Sequence, residues 1–231
     1  GRYDTIQVRM HMKKSILLIL FVAAAVFPAA ASDDAPENEG DDYREYQTLR
    51  FDGSGTILGY AVHDYNDAGL KQESRWYNEE GKYEMVTMYE YDEQENLIKE
   101  SHFDKSESIL FSYTVHNYDE AGRRVTSMDF NSDDKEVLWI DYSEIDTTGG
   151  VPRIERGYAA DGRPIFRVEN ELDSEARKSE STVYELSEEG ESPGSHSVYT
   201  YNDAGNLIKT EIFTPENTLI WYMEHKWEKA D

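Results

Sequence analysis

Three histidines have a spacing that invites chemistry. His63, His116 and His225 each stand two residues before a large aromatic: Tyr65, Tyr118 and Trp227. Residues two apart in an extended chain share a face, so each imidazole points to the side of its aromatic. Stacked positions of that kind suit a ligand set or a pH-responsive stripe. In a regular meander, however, His63 and His116 are four strands apart, about 19 Å at about 4.8 Å per strand. That separation defeats shared ligation unless the sheet closes on itself. The expectation is histidine as an ordinary strand-end residue, with no metal and no other cofactor.

Other reactive groups are not arranged for catalysis. There is no G-x-S-x-G, no H-E-x-x-H and no glycine loop that would cradle a phosphate, and Gly53-Ser54-Gly55 reads as a turn. The many carboxylates single out no acid and base pair, so no catalytic residue is assigned and the chain reads as non-enzymatic. The acidic turns at Asn66-Asp67, Asp92-Glu93 and Asp133-Asp134 offer oxygens of the kind calcium takes, but turn formation accounts for them. Aromatics are the better candidates for binding. Tyr60, Tyr113, Trp139 and Trp221 are taken as ligand-facing, able to stack on a sugar or peptide, while most of the remaining aromatics are expected to pack.

These residues must be positioned by a repeat. A large apolar residue, Asp or Asn, two polar or small residues and then Gly recur, most clearly at 65–69 (YNDAG), 77–81 (YNEEG), 118–122 (YDEAG) and 201–205 (YNDAG). Looser copies begin at Phe51, Tyr91, Phe103, Phe130, Ile145, Tyr158, Leu172, Leu186 and Phe213, so thirteen anchors span 162 residues with a mean step of 13.5. The second residue, such as Asp119 or Asn202, can accept a bond from the backbone two residues on. The fifth, such as Gly69, Gly81, Gly122, Gly162 or Gly205, supplies the positive φ of a type I turn followed by a bulge. The intervening eight or so residues alternate as strands do, with Ile109, Phe111, Tyr113 and Val115 on one apolar face. The fold class expected is all-β, an antiparallel meander of about fourteen short strands. At that strand number the sheet should curl or partly close, with aromatics inside.

Residues 201–209 (YNDAGNLIK) and 118–125 (YDEAGRRV) resemble the YD repeats of RHS proteins and, more loosely, MORN-type hairpin repeats. In RHS proteins long runs of such repeats coil into a shell around a toxic domain. With far fewer repeats, the resemblance implies here a curled sheet bearing an interaction surface.

The remaining sequence concerns export and charge. Residues 1–11 are expected to lie upstream of the true start. Residues 12–31 read as a signal peptide: Met12-Lys13-Lys14, an apolar run from Ile16, and Ala29-Ala30-Ala31 before cleavage after Ala31. The apolar run is shorter than the roughly 20 residues that span a bilayer, so no anchor should persist after cleavage. Residues 32–46 are too polar to pack and read as an acidic linker; 47–231 form the repeat domain. Beyond the leader 47 acids face 19 bases, a net charge near −28, which excludes nucleic acid as a partner. Absence of cysteine removes disulfides and thiolate chemistry. The function expected is an exported scaffold, secreted or periplasmic, that binds a protein or carbohydrate partner. The alternatives are a secreted glycan-acting hydrolase and a small outer-membrane β-barrel. The latter meets an objection in Lys71, Glu73, Arg75 and Lys99 on one strand face and Ser74, Glu100 and His102 on the other.

Overall fold

A computed structural model describes residues 43–142 and 151–230. The expected signal peptide, most of the expected linker and the repeat copy at Ile145 lie outside the described residues. Fourteen strands follow one another: β1 (Tyr43–Asp52), β2 (Ile57–Tyr65), β3 (Lys71–Asn78), β4 (Tyr83–Tyr91), β5 (Leu97–Asp104), β6 (Leu110–Tyr118) and β7 (Arg124–Asn131), then β8 (Glu136–Asp141), β9 (Ile154–Ala159), β10 (Pro164–Leu172), β11 (Lys178–Ser187), β12 (Gly190–Tyr201), β13 (Leu207–Phe213) and β14 (Leu219–Lys229). β1 starts at Tyr43, four residues before the expected domain boundary at 47, and brings Glu45 into the fold.

Every strand pairs antiparallel with its sequence neighbours, and β1 pairs with β14 to complete a closed barrel. The expectation of a curled or partly closed sheet is thereby corrected. An open sheet would leave the donors and acceptors of β1 and β14 as two bare edges. Closure satisfies them through a nine-residue register from Tyr43↔Lys229 to Asp52↔Trp221.

The turns show why the sequence repeats. At Asn66 the amide bonds the Leu70 carbonyl at 2.9 Å and Gly69 N–H returns to the Asn66 carbonyl at 3.0 Å. The Asn66 side chain also accepts from Ala68 and Leu70 amides. Asp119 and Asn202 do the same in their own turns. Gly69, Gly81, Gly122, Gly162 and Gly205 all have φ between 75° and 85°. Glu95, Asp134, Ala176 and Asn217 take that left-handed position without being glycine, a conformation that costs a residue with a Cβ about 1–2 kcal/mol.

Successive hairpins turn in opposite senses when seen from one face of the sheet. One local turn geometry therefore sends its anchor residue to opposite faces at the two rims. Anchors at the rim holding the chain termini, Tyr65, Tyr91, Tyr118 and Tyr201 with Trp227, point inward. There Tyr65 Oη donates to the Glu45 carbonyl, Tyr91 to Lys71, Tyr118 to Leu97 and Tyr201 to Lys178, while Trp227 Nε1 donates to Leu207. Anchors at the other rim point outward and stack across strands: Phe51 on Tyr222, Tyr77 on Tyr60, Phe130 on Tyr113 and Tyr158 on Trp139, with centroids 4.1–4.9 Å apart. Aromatics thus line both faces, at different heights.

Candidate functional site

The interior is more polar than apolar. Ten hydrophobic residues are buried among the described residues, including Val86, Leu97, Phe166, Trp221 and Met223, against sixteen polar or charged ones. A polar residue withdrawn from water must be bonded inside or it costs stability. The inward faces solve this with a girdle of side-chain bonds running from strand to strand.

Its most extended section crosses the seam. Glu45 Oε1 accepts from Thr48 Oγ1 at 2.5 Å and from His225 Nδ1 at 2.7 Å, and Glu45 Oε2 accepts from Lys71 Nζ at 3.0 Å. Thr48 Oγ1 meets His63 Nε2 at 2.9 Å, His63 Nδ1 meets Ser74 Oγ at 2.7 Å, and Ser74 meets Tyr89 Oη at 3.0 Å. On the far side His225 Nε2 meets Thr210 Oγ1 at 3.3 Å. The carboxylate can only accept, which fixes the donors: Thr48 gives its proton to Glu45, so His63 Nε2 donates to Thr48, and His63 Nδ1 in the neutral ring accepts from Ser74. Side chains from β1, β2, β3, β4, β13 and β14 thus form chains of hydrogen bonds that converge on Glu45.

A related arrangement occurs twice more, with a carboxylate in the place of Thr48 bonded directly to the central residue. Glu100 Oε1 lies 3.0 Å from His116 Nε2, and His116 Nδ1 lies 2.8 Å from Ser127 Oγ. In the third copy, Glu155 accepts from Asn170 Nδ2 at 2.7 Å and Ser181 donates to Asn170 Oδ1 at 2.6 Å. Lys178 bonds Glu155 at 2.7 Å, as Lys71 bonds Glu45. Asn170 reproduces the neutral imidazole: its Nδ2 stands for Nε2–H and its Oδ1 for the bare Nδ1.

Serine, histidine and glutamate in sequence invite comparison with a nucleophile, base and acid. Two facts favour packing. The central position is filled by asparagine in one copy, and asparagine cannot accept a proton from serine. Ser74, Ser127 and Ser181 are all 5% exposed or less, inside strands whose amides are engaged in the ladder rather than turned toward an oxyanion.

Electrostatics follow from this burial. Burial opposes ionisation of Glu45, yet the bond from His225, the nearby His63 ring and the charge of Lys71 outweigh it and hold the carboxyl well below its ordinary value. Burial pushes His63 down, with Glu45 opposing the shift, and it lowers His102 to about 4. It also raises Asp129, against the bond from Thr114.

The three sequence-marked histidines thus point inward with their aromatics. Closure brings His63 and His225 to one carboxylate, while His116 stands four strands from His63, on β6. Among the described residues no group of three His, Asp or Glu has metal-holding geometry. His116, read from the sequence as a tolerant strand-end position, is buried between two bonded partners, so that expectation is corrected. Of the aromatics taken as ligand-facing, Tyr60, Tyr113 and Trp139 lie outside, each with one ring face already stacked on a neighbour. Trp221 turns inward and is 6% exposed, because its strand neighbours Ile220 and Tyr222 occupy the outer face; it is removed from that set. Glu45 had no signal of its own, standing at the end of an acidic stretch. A periodic trace marks the girdle, Thr48, Ser74, Glu100 and Ser127 standing 26 or 27 residues apart, but it passes through Thr48 and not through Glu45.

Outside, below the aromatic collar, the wall is charged. Arg75 pairs with Glu73 and Asp64, Lys99 with Glu90, Lys209 with Glu211 and Lys226 with Glu224, while Arg167 joins Glu169 and Glu191.

No protein-family model and no curated protein matches this chain. Among solved structures, a porin-like protein from Bacteroides uniformis is similar at 9% identity and a TM-score of 0.46, over 81% of this chain and 98% of that one. A putative exported protein with a YmcC-like fold from Bacteroides fragilis shares 9% identity at a TM-score of 0.30, covering 80% and 97%. The Tc holotoxin pore of Photorhabdus luminescens matches at 16% identity and a TM-score of 0.23, over 79% of this chain and 9% of that one. Likenesses this distant carry nothing about activity.

Proposed function

We propose that the chain is a non-enzymatic, exported β-barrel of the cell envelope, standing in water and presenting its outer aromatic collar to a protein or glycan partner. The observation that carries this reading is the outer wall. A lipid-facing surface needs an apolar band about 25 Å tall. Here the collar of Phe51, Tyr60, Tyr77, Tyr113, Phe130, Trp139 and Tyr158 gives way within one or two outward positions to the ion pairs of Arg75, Lys99, Lys209 and Lys226. Arg or Lys at the midplane of a bilayer costs about 2–4 kcal/mol each, and several would have to be placed there.

The second reading is a small outer-membrane barrel. Full closure, an even number of strands, a polar interior and an aromatic ring at one level all favour it. Closure strengthens this alternative relative to a free scaffold sheet, and the ion pairs weigh against it. The YD-repeat kinship belongs to this proposal too: it rests on turn chemistry that any tight hairpin repeat would share.

The test is to express the chain from Ser32 and fold it with and without detergent. A β-rich, cooperatively unfolding monomer in plain buffer that stays in the soluble envelope fraction supports the water-standing barrel. Folding only in detergent or lipid, with migration on gels altered by heating, would replace it with the membrane barrel.

A further inference from the structure

We propose that the seam between β1 and β14 is an acid-sensitive latch, shut by the converging bonds on Glu45 at neutral pH and loosened by protonation of His63 as pH falls.

The geometry sets the conflict. His63 is 8% exposed and donates through Nε2 while receiving Ser74 at Nδ1. An added proton must go on Nδ1, where it meets the incoming hydroxyl of Ser74, so Ser74 and Tyr89 would both have to reverse. The groups facing His63 are Glu45 and Thr48 from β1, Ser74 and Lys71 from β3, Tyr89 from β4, His225 from β14, and Tyr65 on its own strand. Glu45 is the one anion among these groups, and it is already matched by Lys71 at 3.0 Å. Its distance to His63 Nε2 is 3.6 Å, with Thr48 the bonded intermediary. A protonated His63 leaves the buried group with a net positive charge, which hydration on opening relieves.

The sign is the same for both titrating groups. His63 is held below its ordinary value by burial, so stability is present above about 6.5, the unfolded imidazole value, and declines below it. Glu45 is held low, and its contribution also declines with acid. The third copy carries Asn170 in place of histidine, so its central residue cannot titrate, and that part of the wall, β9 to β11, should keep its bonding. Acid therefore loosens the barrel at the β1–β14 seam and spares the section from β9 to β11.

The experiment is amide hydrogen exchange on the chain from Ser32 at pH 7.5 and pH 5.0, corrected for intrinsic rates. One proton linked to opening raises the open fraction up to about tenfold per pH unit below about 6.5. Protection in β1 and β14 should therefore fall by up to about thirtyfold at pH 5.0 while β10 and β11 hold. His63→Asn, which copies the arrangement at Asn170, keeps both bonds and cannot titrate, and it should abolish the difference. If that variant does not fold, Lys71→Met serves: with the competing cation gone, Glu45 can pair the imidazolium and the pH-dependent loss should shrink. Equal loss over all strands, or an unchanged seam-specific loss in either variant, overturns the latch.

Discussion

Replacing His116 distinguishes a bonded interior from a tolerant strand end. His116 is 6% exposed and joins Glu100, 7% exposed, to Ser127, 4% exposed. His116→Ala strips both neighbours of their partner at once. Each buried group left without its hydrogen-bond partner costs about 1–3 kcal/mol, and two are left here; water entering the vacated ring volume recovers part of it, so a net loss of about 3 kcal/mol is expected. His116→Asn should differ sharply. Asn170 already fills the equivalent position, donating to Glu155 and accepting from Ser181, so the amide can restore both bonds at a cost of about 1 kcal/mol. The assay is urea unfolding followed by tryptophan fluorescence, with the slope compared between variants to confirm that only stability has changed. A silent His116→Ala would remove the girdle from the account. Equal damage from Asn and Ala would show that the repeat equivalence is wrong.

Three other substitutions probe the remaining devices. Tyr201→Phe removes the bond from its hydroxyl to the Lys178 carbonyl at 2.9 Å and should cost about 1 kcal/mol in the same assay. Ala176 sits at φ 60°, so Ala176→Gly should raise stability by about 0.5–1 kcal/mol after the entropy of glycine is counted; a loss would contradict the turn assignment. A Cβ at Gly157 would lie 2.1 Å from the Phe166 ring; Gly157→Ala should cost about 1–3 kcal/mol, and Phe166→Leu in the same chain should recover part of it.

Strand number, antiparallel order and turn chemistry are legible in the sequence because they are local. The Asp or Asn and Gly of each signature act within five residues, and alternation acts within eight. Closure is not local. It depends on β1 meeting β14 some 180 residues later, and on the twist summed over fourteen strands, neither of which any single segment encodes. The facing of the anchors was missed for a related reason: Tyr65 and Tyr77 carry the same signature, and only the opposite sense of successive turns sends one inward and the other outward. Glu45 shows the third limit. A carboxylate in an acidic stretch looks solvated until closure surrounds it with His63, His225 and Lys71. Trp221 erred in the other direction, because alternation through Ile220, Trp221 and Tyr222 leaves the choice of face open when all three are apolar.

Closure is the claim on which the seam, the girdle and the latch all depend, and the absence of native cysteine makes it directly testable. Leu49 and Glu224 are register partners across the β1–β14 seam on the outer face, while an open sheet would hold them at opposite edges. The measurement is disulfide formation in the double variant Leu49→Cys, Glu224→Cys under mild oxidation of the folded chain. Leu49→Cys with Tyr60→Cys, partners in the β1–β2 hairpin, serves as the reference. The barrel predicts an intramolecular link across the seam in yield comparable to the hairpin pair. A hairpin pair that links efficiently beside a seam pair that stays reduced, or links only between molecules, would contradict it.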